Sequence, residues 1–372
     1  MAIIWFVVKD TGGTNGAIPV VCELRKMGHV VTVIANTNCD GVPGRDCKGI
    51  AELVKADMAF VKASSAEGLL EQFTLPDAVV TDTSTGGGVG RDLIPLLPSS
   101  CVTFALQDYW GGCLINDWAD PEYRPSYIIV GDTIGAETVR KAWPEFNPER
   151  IGVTGYPALD KYADPGAILA EAERFNTHFQ LGFVPTVFYA GSTLNGQCLM
   201  ELVKAIETTG RRVNLIVRPH PRMIEEEPNE LPVWGMAVAR LLSDRKSKVI
   251  TTNHEGWSTP SLIAAADVTI SAYSTCLLEA AALLKQNITL WTPEVRAAFM
   301  SKARGFGGVL NEFPLVTLGC TVKAESVQEL GGLLRMSFAD QLDLRAAQKR
   351  HYPNDGKNAF RAAEFIHTRI SR

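Results

Sequence analysis

The stretch Ile3-Ile-Trp-Phe-Val-Val8, followed by Asp10-Thr-Gly-Gly-Thr-Asn-Gly16, decides the fold of this chain. Six consecutive apolar residues, rich in β-branched and aromatic types, predict a strand that is buried on both faces. The glycine-rich stretch predicts a loop, and the spacing of apolar residues in Ala17–Met27 predicts a helix that ends at Gly28. A second strand is predicted at Val30–Ala35. Together these segments form one βαβ unit, which requires a parallel sheet with a right-handed crossover.

The same alternation of short apolar strands and amphipathic helices continues along the chain and predicts a doubly wound α/β architecture. Further strands of the first half are predicted at Ala59–Lys62, Ala78–Thr81, Val102–Leu106, Tyr127–Val130 and Ile151–Thr154. Strands of the second half are predicted at Thr186–Ala190, Asn214–Val217, Lys248–Thr251, Val268–Ser271 and Ile288–Leu290. Two helices, Val327–Gln348 and Asn358–Ile370, are predicted to end the chain.

The length of 372 residues exceeds what one hydrophobic core usually supports, so two domains are expected. The periodicity pauses around Tyr156–Asp160, and a polar helix is predicted to begin after that pause, at Pro165. We therefore expect one Rossmann-like domain over residues 1–160 and a second over residues 161–354.

Composition excludes several classes of protein. The formal net charge is −5 and the 36 Lys and Arg residues are scattered, which argues against a nucleic-acid-binding protein. Eight cysteines show no metal-ligand spacing, which predicts reduced thiols in a cytoplasmic protein and no metal site. No apolar run reaches the roughly 20 residues of a membrane span, and no signal peptide is recognisable. Peripheral membrane contact and homodimer formation remain open.

Three acidic residues follow predicted strands of the first half. Ligands of open parallel sheets bind beyond the carboxyl ends of the strands, so Asp10, Asp82 and Asp108 are candidate general bases, with Asp10 first by its position. The backbone of Gly13, in the first loop, is a candidate ligand contact because glycine permits close approach. The alternatives are an ordinary turn for the first loop and a capping cluster around Asp82. For the aromatic residues that follow Asp108, the alternative to stacking on a sugar is core packing.

The second half carries two more specific motifs. Arg218-Pro-His-Pro221 follows a predicted strand, where a guanidinium and an imidazole can donate to a phosphate. Ser271-Ala-Tyr-Ser-Thr275 precedes a predicted helix that contains Glu279. Hydroxyl groups and free amides at a helix N-terminus favour an anion, so Ser271, Ser274 and Thr275 are candidate donor-binding residues. The alternative for the second motif is an ordinary Ser/Thr helix cap.

These motifs resemble the GT-B superfamily of nucleotide-sugar enzymes. The resemblance is to the group that contains CDP-glycerol glycerophosphotransferases, non-hydrolysing UDP-N-acetylglucosamine 2-epimerases and some bacterial sialyltransferases. It is carried by Arg218–Pro221, Ser271–Glu279 and Asp355–Arg361. The resemblance implies two Rossmann-like domains with parallel sheets facing a central cleft, and a C-terminal helix over residues 355–372 that crosses back to the first domain. It also implies donor-phosphate contacts from Arg218, His220, Ser274 and Thr275, and a ribose contact from Glu279.

The chain departs from the epimerases at two places. Their Arg-Pro-Glu and His-Arg-x-Glu-Asn signatures are replaced here by Thr14-Asn-Gly-Ala17 and Gly191-Ser-Thr-Leu-Asn195. Gly191, Ser192 and Thr193 instead suit a phosphate-facing turn.

The interpretation is therefore a metal-independent, inverting glycosyltransferase that needs no cofactor. It moves a sugar, or a sugar-like group, from a UDP- or CDP/CMP-activated donor to an acceptor hydroxyl. His220 acts in catalysis by stabilising the departing phosphate. A nucleotide-sugar 2-epimerase and a catalytically silent GT-B nucleotide-binding protein are the alternatives.

Overall fold

The computed structural model describes residues 1–39, 42–84, 86–110, 114, 117–220, 223, 228–243, 247–252, 256–304 and 310–370. The chain divides into two compact units. Unit 1 comprises Met1–Lys161, Lys302–Asn311 and Asp355–Arg372, and unit 2 comprises Tyr162–Ser301 and Glu312–Asn354.

Unit 1 is built on a parallel sheet. Its strands are β1 (Ile3–Val8), β2 (Val30–Asn36), β5 (Val61–Ala63), β6 (Ala78–Asp82), β7 (Val102–Leu106), β8 (Tyr127–Val130) and β9 (Ile151–Val153), and β3 (Asn38–Cys39) and β4 (Val42–Pro43) form a separate hairpin. Its α-helices are α1 (Thr11–Lys26), α2 (Gly49–Lys55), α3 (Ala66–Gln72), α4 (Val89–Leu93) and α5 (Thr133–Ala142). Short 3₁₀ helices span Ile94–Leu96, Pro121–Tyr123, Pro148–Arg150 and Pro157–Tyr162.

The strand order of unit 1 places a switch point beside β1. The order is β5-β2-β1-β6-β7-β8-β9, and every neighbouring pair is parallel. The chain leaves β1 towards β2 on one side and returns to β6 on the other side, so the loops after β1 and β6 diverge. Ligands of doubly wound folds bind in the crevice that such a divergence creates.

Unit 2 repeats the architecture. Its strands are β10 (Thr186–Ala190), β11 (Asn214–Arg218), β12 (Lys248–Thr251), β13 (Val268–Ser271), β14 (Gln286–Leu290) and β15 (Val322–Ala324). Its helices are α6 (Gly166–His178), α7 (Asn195–Thr209), α8 (Glu230–Ser243), α9 (Thr259–Ala265), α10 (Thr275–Ala282), α11 (Pro293–Arg304), α12 (Pro314–Thr317), α13 (Val327–Phe338) and α14 (Arg345–His351). The sheet order β12-β11-β10-β13-β14-β15 places the switch point between β10 and β13.

The predicted single helix Val327–Gln348 is wrong, because the structure has two helices there, α13 and α14. The chain turns at Asp340, whose φ is +53°. Gln286 of β14 then donates from Nε2 to Asp340 Oδ1 at 2.9 Å and to the Leu342 carbonyl oxygen at 3.1 Å. Leu342 itself is buried. The side-chain amide of a distant strand therefore holds the connection outside helical geometry.

The last helix, α15 (Asn358–Ile370), belongs to unit 1. The backbone N–H groups of Asn358 and Ala359 donate to the two carboxylate oxygens of Asp160 at 3.0 and 2.8 Å. The helix packs on α1 through its buried face, and a 2.9 Å contact joins His29 Nε2 to His367 Nδ1.

Within the described ranges, no helix is long and apolar enough to cross a membrane. The same residues contain no group of three or more His, Cys, Asp or Glu side chains arranged to hold a metal ion. The cysteines that the structure describes are free thiols.

Candidate functional site

Asp82, the last residue of β6, lies at the switch point of unit 1, beside the end of β1. Its Oδ2 accepts from the Lys9 N–H at 2.8 Å and from the Asp10 N–H at 3.4 Å. The carboxylate thus ties the end of β6 to the residues that follow β1. Asp82 is 6% exposed, so these bonds are made in a dry environment.

The predicted loop Asp10–Gly16 is wrong, because α1 begins at Thr11 and Asp10 is its N-cap residue. The glycines serve close packing, and none of Gly12, Gly13 and Gly16 has a positive φ. A Cβ on Gly12 would lie 2.6 Å from Asp108 Oδ2, and a Cβ on Gly13 would lie 2.5 Å from Asp82 Oδ2. The glycine content of Asp10–Gly16 predicts a loop because glycine is a poor helix former.

Asp82 and Asp108 are both raised in pKa. Burial raises the pKa of Asp82 to about 7. The hydrogen bond from the Lys9 N–H lowers this pKa, and the charge of Asp108 raises it further. Burial and the charge of Asp10 raise the pKa of Asp108 to about 6. The three acidic residues predicted from the sequence are therefore close enough to interact electrostatically at one sheet edge.

The three acids differ in access. Asp82 is buried and occupied by backbone donors, whereas Asp10 and Asp108 are half-buried and can meet a ligand. Asp108 Oδ1 accepts from the Thr83 hydroxyl at 3.4 Å, which helps to fix its orientation. Asp108 combines partial exposure with a raised pKa, and these are the two properties that a general base needs.

The aromatic residue Trp110, which follows this aspartate, packs in the core. Trp110 is 1% exposed, and its Nε1 donates to both carboxylate oxygens of the buried Asp132 at 2.9 and 3.1 Å. Tyr156 donates to the same carboxylate at 3.2 Å. The packing interpretation of Trp110 therefore holds over sugar stacking, and the Asp132 cluster anchors the loop that carries Asp108.

A small hollow beside Asp82 adjoins the ends of β1, β2 and β6. Lys9, Asn36, Ser84, Arg91 and Trp118 line it together with the glycines of the loop after β6. Lys9 Nζ donates to the Gly87 carbonyl oxygen at 3.0 Å. In the loop after β6, residues 86–88 are glycines with positive φ, and Thr85 lies outside the described residues.

In unit 2 the loop after β10 meets the loop after β11. The Gly191 N–H donates to the Arg218 carbonyl oxygen at 2.8 Å, and the His220 N–H donates to Asn195 Oδ1 at 3.3 Å. A Cβ on Gly191 would lie 2.3 Å from Asn195 Oδ1 and 2.7 Å from the His220 nitrogen. Only glycine allows this approach, so Gly191 through Thr193 and His220 are brought together as one surface. Pro221 of the motif lies outside the described residues.

Arg218 is 4% exposed and donates to groups of its own unit. Its Nε donates to the Thr252 hydroxyl at 3.3 Å, its Nη1 to the Thr259 hydroxyl at 2.8 Å, and its Nη2 to the Trp257 carbonyl oxygen. The guanidinium therefore fixes the ends of β11 and β12 and the start of α9. A direct contact with a donor phosphate stays a prediction.

The Ser271–Thr275 segment reaches the same surface from β13. The buried Ser271 donates to the Ala190 carbonyl oxygen at 2.7 Å, and Ser192 donates to the Tyr273 carbonyl oxygen at 3.3 Å. Ser274 caps α10 by accepting from the Cys276 N–H at 3.2 Å, and Thr275 is exposed. The structure thus brings all three predicted donor-binding loops together at one switch point, with Ser271 acting as a tie between strands.

Glu279 lies one turn into α10 and is half-buried. Burial, followed by the charge of Glu279 and a hydrogen bond to it, raises the pKa of the buried Tyr162 well above its usual value. The Glu279 carboxylate therefore interacts with the Tyr162 phenol of the same unit. Contact with a ribose stays a prediction.

Sequence reasoning missed two residues that hold the loops of the unit 2 switch point together. Asn195 bridges the loops, because its Oδ1 accepts from His220 while its Nδ2 donates to the Ser192 carbonyl oxygen at 3.1 Å. Glu230 Oε2 accepts from the Gly196 N–H at 2.7 Å and so caps α7 from a distant helix. The position of Asn195 after Gly-Ser-Thr was a usable signal, whereas nothing local identifies Glu230.

No protein-family model and no curated protein matches the chain in sequence. Solved structures match it along nearly its whole length. A glycosyltransferase from Rickettsia africae superposes with a TM-score of 0.68 at 14% identity, covering 100% of this chain and 99% of that one. A UDP-GlcNAc 2-epimerase from Methanocaldococcus jannaschii gives 0.66 at 15% identity, with 98% and 99% covered. The Anabaena protein HepE, in complex with UDP, gives 0.62 at 11% identity, with 99% of each chain covered.

These identities are low, so the likeness establishes the fold, and a fold alone does not determine a reaction. Two all-parallel sheets of seven and six strands, each with its own switch point, agree with these neighbours. The chain therefore has the GT-B fold, built from two Rossmann-like domains.

Proposed function

We propose that the chain is an inverting, metal-independent glycosyltransferase that uses a nucleotide-activated sugar donor. Unit 2 binds the donor, and unit 1 activates the acceptor hydroxyl. The observation that carries the proposal is the junction of three polar loops at the unit 2 switch point. Gly191 through Thr193, His220 and the Ser274–Thr275 helix start come together there through backbone and side-chain hydrogen bonds.

This junction suits a phosphate group. The N-terminus of α10 carries partial positive charge, and the exposed Thr275 hydroxyl adds a donor. We propose that the His220 imidazole adds a further donor as charge grows on the departing phosphate. Arg218 is a positioning residue for this junction, because its nitrogens donate to the neighbouring strand and helix ends. Glu279 is the acceptor we propose for the ribose hydroxyls.

In the proposed step, the Asp108 carboxylate removes the proton of the acceptor hydroxyl. The oxygen forms a bond to the anomeric carbon of the donor sugar, and the bond from that carbon to the phosphate oxygen breaks. The electron pair leaves with the nucleoside phosphate, whose charge the α10 N-terminus and His220 stabilise. Attack from the side opposite the leaving group inverts the anomeric centre.

Names of structural neighbours support a nucleotide donor. HepE was solved with UDP, and the epimerase acts on UDP-GlcNAc, so a UDP donor is the leading choice for this chain and CDP or CMP donors are the alternatives. A cytoplasmic location also stays a prediction.

An epimerase remains the second candidate because one of the neighbours is such an enzyme.

Product analysis of nucleotide sugars separates the two reactions. The protein is incubated with UDP-GlcNAc and related donors, with and without a mixture of hydroxylated acceptors, and the products are followed by NMR. Transfer predicts release of nucleotide that accelerates when an acceptor is present, with no epimer formed. Conversion of the donor to its 2-epimer without any acceptor would contradict transfer and support the epimerase.

A further inference from the structure

Two histidines of unit 1 connect α15 to the residues that precede β1 and β2. His29, between α1 and β2, is 7% exposed, and His367 lies in the last turn of α15. The Ala2 N–H donates to His29 Nδ1 at 3.2 Å, and His29 Nε2 lies 2.9 Å from His367 Nδ1. The two rings meet edge to face, with their centroids 5.1 Å apart. One chain of hydrogen bonds therefore runs from Ala2 through His29 to the end of α15.

This chain of hydrogen bonds fixes where each ring carries its proton. A backbone N–H can only donate, so His29 Nδ1 must accept and the His29 proton must be on Nε2. His29 Nε2 then donates to His367 Nδ1, which must also be without a proton. Protonation of either ring would place a hydrogen on an Nδ1 atom that already accepts one. The contact therefore requires both imidazoles to be neutral.

Burial and neighbouring positive charge favour the neutral form of His29. Burial lowers the pKa of His29 from its ordinary value of 6.5, and His367 and the Met1 amine lower it further. Burial penalises the charged form of a base, and two imidazolium rings in contact would repel each other. We therefore expect His29 to take up a proton below pH 6.5 only when its contact with His367 opens.

No carboxylate on the surrounding elements offsets this penalty. The other titratable and charged groups on those elements are Cys22, Glu23, Arg25 and Lys26 on α1, Asp77 before β6, Tyr127 on β8, and Glu364 and Arg369 on α15. Glu23 pairs with Lys26 at 2.7 Å, and Asp77 accepts from the Ile3 N–H at 2.7 Å. Within the described part of the chain, the pKa of His29 responds to none of this set.

We propose that His29 and His367 form an acid-sensitive contact that holds the C-terminal half of α15 on unit 1. The start of α15 is held without histidine, because Asp160 accepts from its first backbone N–H groups and Arg361 Nε donates to the Thr154 carbonyl oxygen at 2.9 Å. The stabilisation from the histidine contact is fully present above pH 6.5 and is lost as the pH falls, because only the open state takes up the proton. Acid is therefore expected to release the last turns of α15 before the first.

Hydrogen–deuterium exchange of the full chain measures this release, once the intrinsic pH dependence of amide exchange is corrected for. Between pH 7.5 and pH 5 we expect protection of the last two turns of α15 to fall by about tenfold or more, and by more than that of its first turn. The double variant His29→Gln, His367→Asn carries side-chain amides that do not titrate, so it is expected to lose this response. His178→Asn is the matched control, because His178 is exposed and belongs to unit 2.

NMR of the wild-type protein with ¹⁵N-labelled histidine tests the same contact without a substitution. At pH 7.5 we expect the His29 proton on Nε2, and we expect His29 to titrate below pH 6.5. A His29 ring that carries its proton on Nδ1, or that titrates at pH 6.5 or above, would overturn the proposal. Equal protection of α15 at pH 5 and pH 7.5 in the wild type would also overturn it, and so would an acid response that the double variant retains.

Discussion

Replacing Asp108 with asparagine is expected to lower kcat for sugar transfer by about 10²–10⁴-fold, the usual contribution of a general base. Asparagine keeps the shape of the side chain and can still accept from Thr83, so the loop geometry is retained. It cannot take the proton of the acceptor hydroxyl. Asp343→Asn is the control, since Asp343 is exposed and belongs to unit 2, outside the acid cluster of unit 1.

The same base fixes the pH dependence of the wild-type enzyme. Burial and Asp10 raise the pKa of Asp108 to about 6, so the reactive carboxylate is lost as the pH falls below that value. We expect kcat/KM to be level above pH 7 and to fall about tenfold per pH unit below pH 6. If Asp10→Asn removes transfer while Asp108→Asn retains it, the base is Asp10 and the assignment to Asp108 is wrong.

Replacing Asp82 with asparagine is expected to remove a large pH dependence of stability. The pKa of Asp82 is raised from 3.8 to about 7 by burial, so its contribution is fully present below the unfolded pKa and is lost as the pH rises through the folded pKa. Between pH 5 and 8 the wild type therefore loses about 2–3 kcal/mol of unfolding free energy through this group.

Asparagine can still accept from the Lys9 N–H but carries no charge, so Asp82→Asn flattens this fall and makes the protein more stable than wild type at pH 8. Urea unfolding at pH 5 and pH 8 measures the difference, with the exposed Asp343→Asn as control. A variant whose stability changes with pH as steeply as that of the wild type would contradict the raised pKa of the buried Asp82.

The sequence predicted the sheets well because buried parallel strands are continuous apolar runs. Strands such as β7, β10 and β13 have the predicted bounds, since each is an isolated run between polar loops. The glycine-rich start of α1 was assigned wrongly because its glycines answer a tertiary requirement. They let the helix approach Asp82 at the end of β6 and Asp108 after β7, which lie about 70 and 95 residues further along the chain.

The candidate site was predictable in position more than in role. Asp82 and Asp108 lie after neighbouring strands of unit 1, and His220 and Ser274 lie after strands of unit 2, while their roles stay predictions. The partners of Arg218 were not predictable, because Thr252, Trp257 and Thr259 meet it only through the fold. Asp82 is buried and bonded to backbone N–H groups, whereas Asp108 is partly exposed. The spacing of residues in the sequence does not predict this difference in burial.

Binding of free nucleotides tests the donor site of unit 2 most directly. Thermal unfolding is followed with UDP, CDP, CMP, GDP and dTDP, because a ligand at about 100 times its Kd stabilises the fold by about 2.7 kcal/mol. We predict a raised melting temperature with UDP or CDP that is lost in Gly191→Ala, whose Cβ would displace the turn from Asn195 and His220. Gly332→Ala, which meets no neighbour, should retain the shift. A wild-type melting temperature that none of the five nucleotides changes would contradict a nucleotide-donor site.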